Sequence, residues 1–327
     1  MIAMTTTRQT ARLAVVLLVL LASAAPFAHA ADKAPFNITG YSIDATLSPA
    51  EHTLTAVTSV TFTAQQPVAQ VEFLLHGALK VDKVTDAAGT TMNGERGPDA
   101  SVLISPNTPL SVGKSYTWTF RYSGAIETDA GGPVPGLKLA YVGDPITYLL
   151  YAGRWFPMTG YETDRFTADI HVHVPAGYTV IGSGAMSVPA GSTDYNFTWD
   201  KPGFPGTIIA GKFNETSPAP NIHVYTTAAH KADAQDYAQS ALRIFAYYTS
   251  TFGIPESTRL SVVELPDDTV PASWAPEIAA IAGNRIPGKP PSGCSQTRSR
   301  ISGGAAKSVL PRTMTPGSQT ACHGMPN

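Results

Sequence analysis

Two histidines, His171 and His173, stand two residues apart in the run "FTADIHVHVPAGYTV". On a strand, residues i and i+2 share one face. The pair offers two imidazoles that could hold a metal ion, though the plainer expectation is the solvent face of a half-polar strand. Glu264, Asp267 and Asp268 form a small acidic group. A calcium site needs more converging oxygens than three such residues supply, so a strand end and a loop are expected there. Ser183 lies in "GSG" and lacks the G-x-S-x-G context of a nucleophile elbow, so it carries no catalytic weight. Cys294 and Cys322 are the only cysteines. Two cysteines make neither a disulfide framework nor a cysteine-based zinc site.

The elements that would position these groups are mostly strands. From about residue 41 to 213, alternating and β-branched runs follow one another: "TLTAVTSVTFTA", "VAQVEFLLH", "SYTWTFRYSG" and the histidine run itself. Gly, Pro, Asn and Asp punctuate them. The pattern predicts an all-β domain of two or more packed antiparallel sheets, with Trp155, Phe156 and Phe166 in its core. The spacing then switches. Tyr237, Ala241, Leu242, Phe245, Tyr248 and Phe252 recur on one helical face, closed by Gly253 and Pro255,. The run "RLSVVEL" follows as a strand. One helix and one strand cannot bury a core of their own, so residues 226–286 read as the beginning of a mixed α/β domain, loosely attached. From about residue 287 the chain has neither apolar period and reads as disordered.

The totals agree with a folded protein. The chain has 327 residues, 43% apolar and 14% charged, with net charge −2. That leaves no electrostatic case for a nucleic-acid partner or an anionic membrane surface. At the N-terminus, Arg8 and Arg12 precede the apolar stretch "LAVVLLVLLASAA" and an Ala28-His29-Ala30 cleavage pattern. Residues 1–30 therefore read as a secretory signal, too short for a comfortable membrane span. The mature chain is expected in a periplasm or outside the cell, with no membrane attachment after cleavage.

Several stretches resemble zinc aminopeptidases of the membrane-alanyl type, in the gluzincin family. "YSIDATLSPAEHTLTAVTSVTFTA" is similar to the first hairpin of that family's N-terminal domain. "RWFPMTGYETDRFTADIHVHVPAGYTVIGSG" resembles its W-F-P-C-F-D signature, with Met158-Thr159-Gly160 in place of Cys-Phe-Asp. "TIIAGKF" resembles the strand that closes the domain, and "YYTSTFGIP" the end of the first catalytic-domain helix. The resemblance covers about residues 41–286. It implies a saddle-shaped β-sandwich domain (31–225), then an incomplete thermolysin-like segment (226–286), and a peptide substrate in intact relatives. It also implies a role for Glu277. "WAPEI" stands where the family has G-A-M-E-N, whose Glu holds the substrate's α-amino group. The flanking Gly and Asn are replaced by Trp274 and Ile278. The alternative is that Glu277 is a solvated loop carboxylate.

The family's zinc site requires H-E-x-x-H on a helix and a third carboxylate ligand further on. No H-E-x-x-H occurs in the sequence, and His323 is the only histidine after His230. The tail suggests a reason. Taking the last base of each codon with the first two of the next permits a run beginning H-Q-W-W-G and ending G-M-S-R-Y-A-E. That run is similar to the family's zinc helix and the helix that carries its third ligand. The reading is a single frameshift between about residues 286 and 293. In that frame Gln296–Thr297 and Gln319–Thr320, where two ligands belong, encode only Asn or Asp. Asn binds zinc poorly.

The expectation is thus an exported, aminopeptidase-like chain that is non-catalytic as it stands, with no metal cofactor of its own although zinc is implied for intact relatives. Two other functions compete with it: a secreted β-sandwich module binding peptide or protein, and an active zinc aminopeptidase.

Overall fold

The computed structural model describes residues 35–160 and 164–286. The signal segment and the tail after residue 286 lie outside the described residues. In chain order the strands begin with β1 (Phe36–Ser48), β2 (Thr53–Ala64), β3 (Val71–Leu74), β4 (Lys80–Thr85), β5 (Thr91–Arg96), β6 (Ser101–Ser105) and β7 (Ser115–Ala125). They continue with β8 (Ala140–Tyr141), β9 (Ile146–Leu149), β10 (Phe166–His173), β11 (Thr179–Ile181), β12 (Ala185–Ser187), β13 (Asp194–Gly203) and β14 (Ile208–Gly211). The last part holds β15 (Asn214–Ala219), β16 (Ile222–Thr226), helix α1 (Ala234–Phe252), β17 (Leu260–Leu265), β18 (Ala272–Ala275) and β19 (Ile278–Ala282).

These strands form three sheets. The largest runs β12-β13-β10-β1-β2-β7-β4-β5-β6-β3, and all its pairings are antiparallel except β1 with β10. Its inner face is built by the alternation visible in the sequence. Phe36, Phe62, Phe73, Trp118 and Phe120 are all buried, and Phe62 meets Trp118 edge-on with ring centroids 4.9 Å apart. The "WFP" segment seals one end of this core. Trp155 and Phe156 are fully buried, the Trp155 indole donates to the Gly206 carbonyl at 2.7 Å, and the Tyr41 hydroxyl donates to the Pro157 carbonyl at 2.8 Å. The expected core roles of Trp155, Phe156 and Phe166 are met.

The second sheet, β11-β14-β9-β8, is covered on both faces. Leu149, Ile208 and Ala210 join the core under the large sheet, whereas Ile146, Tyr148, Leu150 and Ile209 turn the other way. Burial on both sides explains why these strands read as continuous apolar runs rather than alternating ones. The third sheet, β15-β16-β17-β19-β18, supplies the cover: Val263, Leu265, Ala275, Ile278 and Ala280 pack with Ile146, Tyr148 and Ile209. On its far side Val224, Leu260 and Val262 meet Tyr237 and Ala238 of α1.

This third layer corrects the expectation for residues 226–286. They supply one helix and three strands, not one of each, and their sheet reaches back to β15 and β16 on the near side of residue 225. Their core is not their own but shared with the middle sheet. The short β18–β19 hairpin escapes a sequence reading because "ASWAPEIAAIA" shows little β-branched enrichment. Only part of the apolar stripe of α1 is used: Tyr237 is buried, but Phe252 is 59% exposed and Tyr247, beside the stripe, is 60% exposed.

Candidate functional site

Glu277 sits in the two-residue turn that joins β18 to β19. Pro276 presets the first turn position, and the second requires positive φ, a place Gly or Asn usually takes. Glu277 occupies it with φ 65°, at a cost of about 1 kcal/mol. Its side chain accounts for that choice. One carboxylate oxygen accepts from Arg259 Nη2 at 2.7 Å, Arg259 Nε at 2.9 Å and the Gly184 amide at 3.0 Å, and the other accepts from the Ser257 hydroxyl. Only 9% of the side chain is exposed.

The same contacts tie the turn to the bend after β11. Arg259 Nη2 also donates to the Gly182 carbonyl at 2.7 Å, and the Ser183 hydroxyl donates to the Pro276 carbonyl at 2.6 Å. Gly184 has φ 98°, and a Cβ there would lie 2.2 Å from the Thr198 carbonyl oxygen. Only glycine fits the bend that presents its amide to Glu277. Ser183 thus has a structural partner, consistent with the absence of a nucleophile motif. Glu277 is not the solvated loop carboxylate of the alternative expectation, because its side chain is largely enclosed and paired. Its implied role as an amino-group anchor meets a carboxylate already engaged by a guanidinium. Arg259 gives no signal in the sequence, since nothing local links it to a residue eighteen positions on.

The acidic group near β17 does not converge on a point. Glu264 is buried and accepts from the Thr227 amide at 2.6 Å, the Thr227 hydroxyl at 3.0 Å and His230 Nδ1 at 2.9 Å, anchoring the approach to α1. Asp267 accepts from the Asn284 amide, and Asp268 pairs with Lys138.

His171 and His173 lie side by side on the outer face of β10, as their spacing predicts, with ring centroids 5.5 Å apart. Parallel pairing sets Asp44 of β1 opposite His171, and antiparallel pairing sets Asp194 of β13 opposite His173. Asp44 Oδ1 is 3.4 Å from His173 Nε2, and Asp44 Oδ2 is 3.9 Å from His171 Nδ1. His173 Nδ1 is 2.7 Å from Asp194 Oδ1. The hydrogen bond to Asp194 and the charge of Asp44 raise the pKa of His173, and the same hydrogen bond lowers that of Asp194.

The described residues do not fit a helix-borne zinc site. Helix α1 carries no histidine and a single carboxylate, Asp236. Among the described residues one set of three side chains brings ligand atoms together, Asp44, His171 and His173, and it lies on strands. A metal-free chain is therefore not established.

No protein-family profile matches the sequence, and no curated protein matches it. Solved structures do. A two-domain M1 zinc metallopeptidase variant bound to L-arginine is 18% identical, with a TM-score of 0.59 over 76% of this chain and 61% of that one. The M1 zinc metallopeptidase from Deinococcus radiodurans is 17% identical, with a TM-score of 0.59 over 82% and 62%. Leukotriene A4 hydrolase from Saccharomyces cerevisiae is 15% identical, with a TM-score of 0.60 over 77% and 41%. The chain spans 61% of the first of these and 41% of the last. At these identities the likeness speaks for architecture: the described chain has the fold of M1 zinc metallopeptidases, matching their N-terminal β domain.

Proposed function

We propose that this polypeptide is an exported, M1-peptidase-like chain that does not hydrolyse peptides itself. The observation that carries the reading is the engagement of Glu277. An α-amino group would have to displace Arg259, Ser257 and the Gly184 amide from a carboxylate that is 9% exposed. Exchanging a largely enclosed guanidinium pair for a ligand ammonium leaves the arginine uncompensated,. The sequence adds a second support, having no H-E-x-x-H to activate a water,. Export rests on Arg8, Arg12, the apolar run of residues 13–25 and the Ala28-His29-Ala30 pattern,.

The test is hydrolysis of a panel of aminoacyl p-nitroanilides by the purified chain, with added ZnCl2 and with chelator. The expected result is no turnover above buffer in either condition. Chelator-sensitive turnover that is lost in Glu277→Ala would overturn the proposal and restore the aminopeptidase reading.

A further inference from the structure

We propose that Asp44, His171 and His173 form a surface site for a zinc-class divalent cation on the outer face of the large sheet, bridging β1 and β10. The inference is independent of whether the chain hydrolyses peptides, and its three residues lie on strands.

The ligand atoms of the three residues all lie within 4.8 Å of one another. Four-coordinate zinc holds its ligands at about 2.0–2.2 Å, which sets neighbouring ligand atoms about 3.3 Å apart. The separation of 3.4 Å between Asp44 Oδ1 and His173 Nε2 already meets that. His171 is half exposed, and its Nδ1 lies 3.9 Å from the other Asp44 oxygen, Oδ2. The backbone holds all three in place, because they project from neighbouring paired strands rather than from loops.

The second observation is the partner behind His173. A carboxylate is only an acceptor, so at 2.7 Å the Nδ1 of His173 must be the donor to Asp194,. The neutral ring then carries its lone pair on Nε2, the nitrogen aimed at Asp44. A carboxylate that fixes the tautomer and orientation of an imidazole from behind is the usual support of a metal-bound histidine. Asp194 is itself held, its amide donating to the Ser192 hydroxyl at 3.0 Å. Two imidazoles and one carboxylate suit zinc and its neighbours in the transition series, and not calcium or magnesium, which take oxygen ligands. Water would fill the remaining position on this open face.

The experiment titrates ZnCl2 into the full chain by calorimetry, with CaCl2 as the control, and compares variants. The wild type is expected to bind one zinc equivalent that His171→Asn and Asp44→Asn each lose, while CaCl2 gives no heat. Asp194→Asn is expected to keep the stoichiometry and weaken binding by about 10- to 100-fold. Histidines and cysteines elsewhere in the chain are common to all these proteins, so only the difference counts. His171 and Asp44 are solvent-facing, and unchanged circular dichroism will show that their variants fold. No zinc binding by the wild type, or an equivalent that persists in both His171→Asn and Asp44→Asn, would overturn the site. Unaltered affinity in Asp194→Asn would do the same to its supporting role.

Discussion

Arg259 and Glu277 form a 2.7 Å ion pair, and the same guanidinium reaches across to the Gly182 carbonyl. The pair therefore closes the junction between the bend after β11 and the β18–β19 turn. It also holds a non-glycine residue in a left-handed conformation.

Removing one member alone strands the other. Glu277→Met is expected to destabilise the protein by about 3 kcal/mol, the scale on which an uncompensated, largely buried charge acts. Arg259→Met should cost a similar amount. The double variant should recover much of either loss, since neither charge then remains. Urea denaturation of the four proteins yields the coupling directly. Single variants within about 0.5 kcal/mol of wild type would show that the pair is no more than a surface contact.

A second prediction concerns His76, which lies buried between strands with Arg96 beside it. Burial first, and the Arg96 charge second, lower its pKa to about 4 from the ordinary 6.5. Its Nδ1 accepts from the Ala78 amide at 3.2 Å, a bond that requires the unprotonated nitrogen. The folded state thus binds fewer protons than the unfolded chain between those two values, so stability from this group is complete above pH 6.5 and is lost as pH falls toward 4,. The full loss is roughly 3 kcal/mol. His173 has the opposite sign, because its folded pKa is raised and its contribution fades as pH rises. Comparing His76→Gln with wild type at about pH 7 and about pH 5 isolates the first effect: the wild type should lose more stability on acidification than the variant. Equal losses would contradict it.

The large sheet is legible in the sequence because one of its faces is wet. Alternation in Thr53–Ala64 and Phe166–His173 directly encodes which side chains turn inward. The pairing of His171 with His173 follows from the same period. The rest of that cluster is not legible, since Asp44 and Asp194 are brought in by strand register over long sequence separations. Nor is the environment of Glu277, whose partners come from the residues just before β17 and from a bend some ninety residues earlier. A turn with Pro276 in its first position hints at the left-handed conformation, but not at what stabilises it. The resemblance points to the right architecture. It does not carry the guanidinium that already fills the carboxylate.

The last prediction follows from how the third sheet is held. Taken alone, residues 226–286 look too short to fold. In the structure Leu265 and Val263 are fully buried against Ile146, Tyr148 and Ile209 of the middle sheet, so one apolar core spans both layers. Layers that share a core should unfold together. Leu265→Ala is expected to cost about 2–5 kcal/mol, as transfer and cavity terms add at a fully enclosed site. That loss should appear as an earlier midpoint of a single urea transition with an unchanged slope. Limited proteolysis of the wild type should likewise spare residues 226–286. A separate early transition carrying the loss in Leu265→Ala, or rapid cleavage within α1 or β17 of the wild type, would mean that the segment is tethered rather than packed.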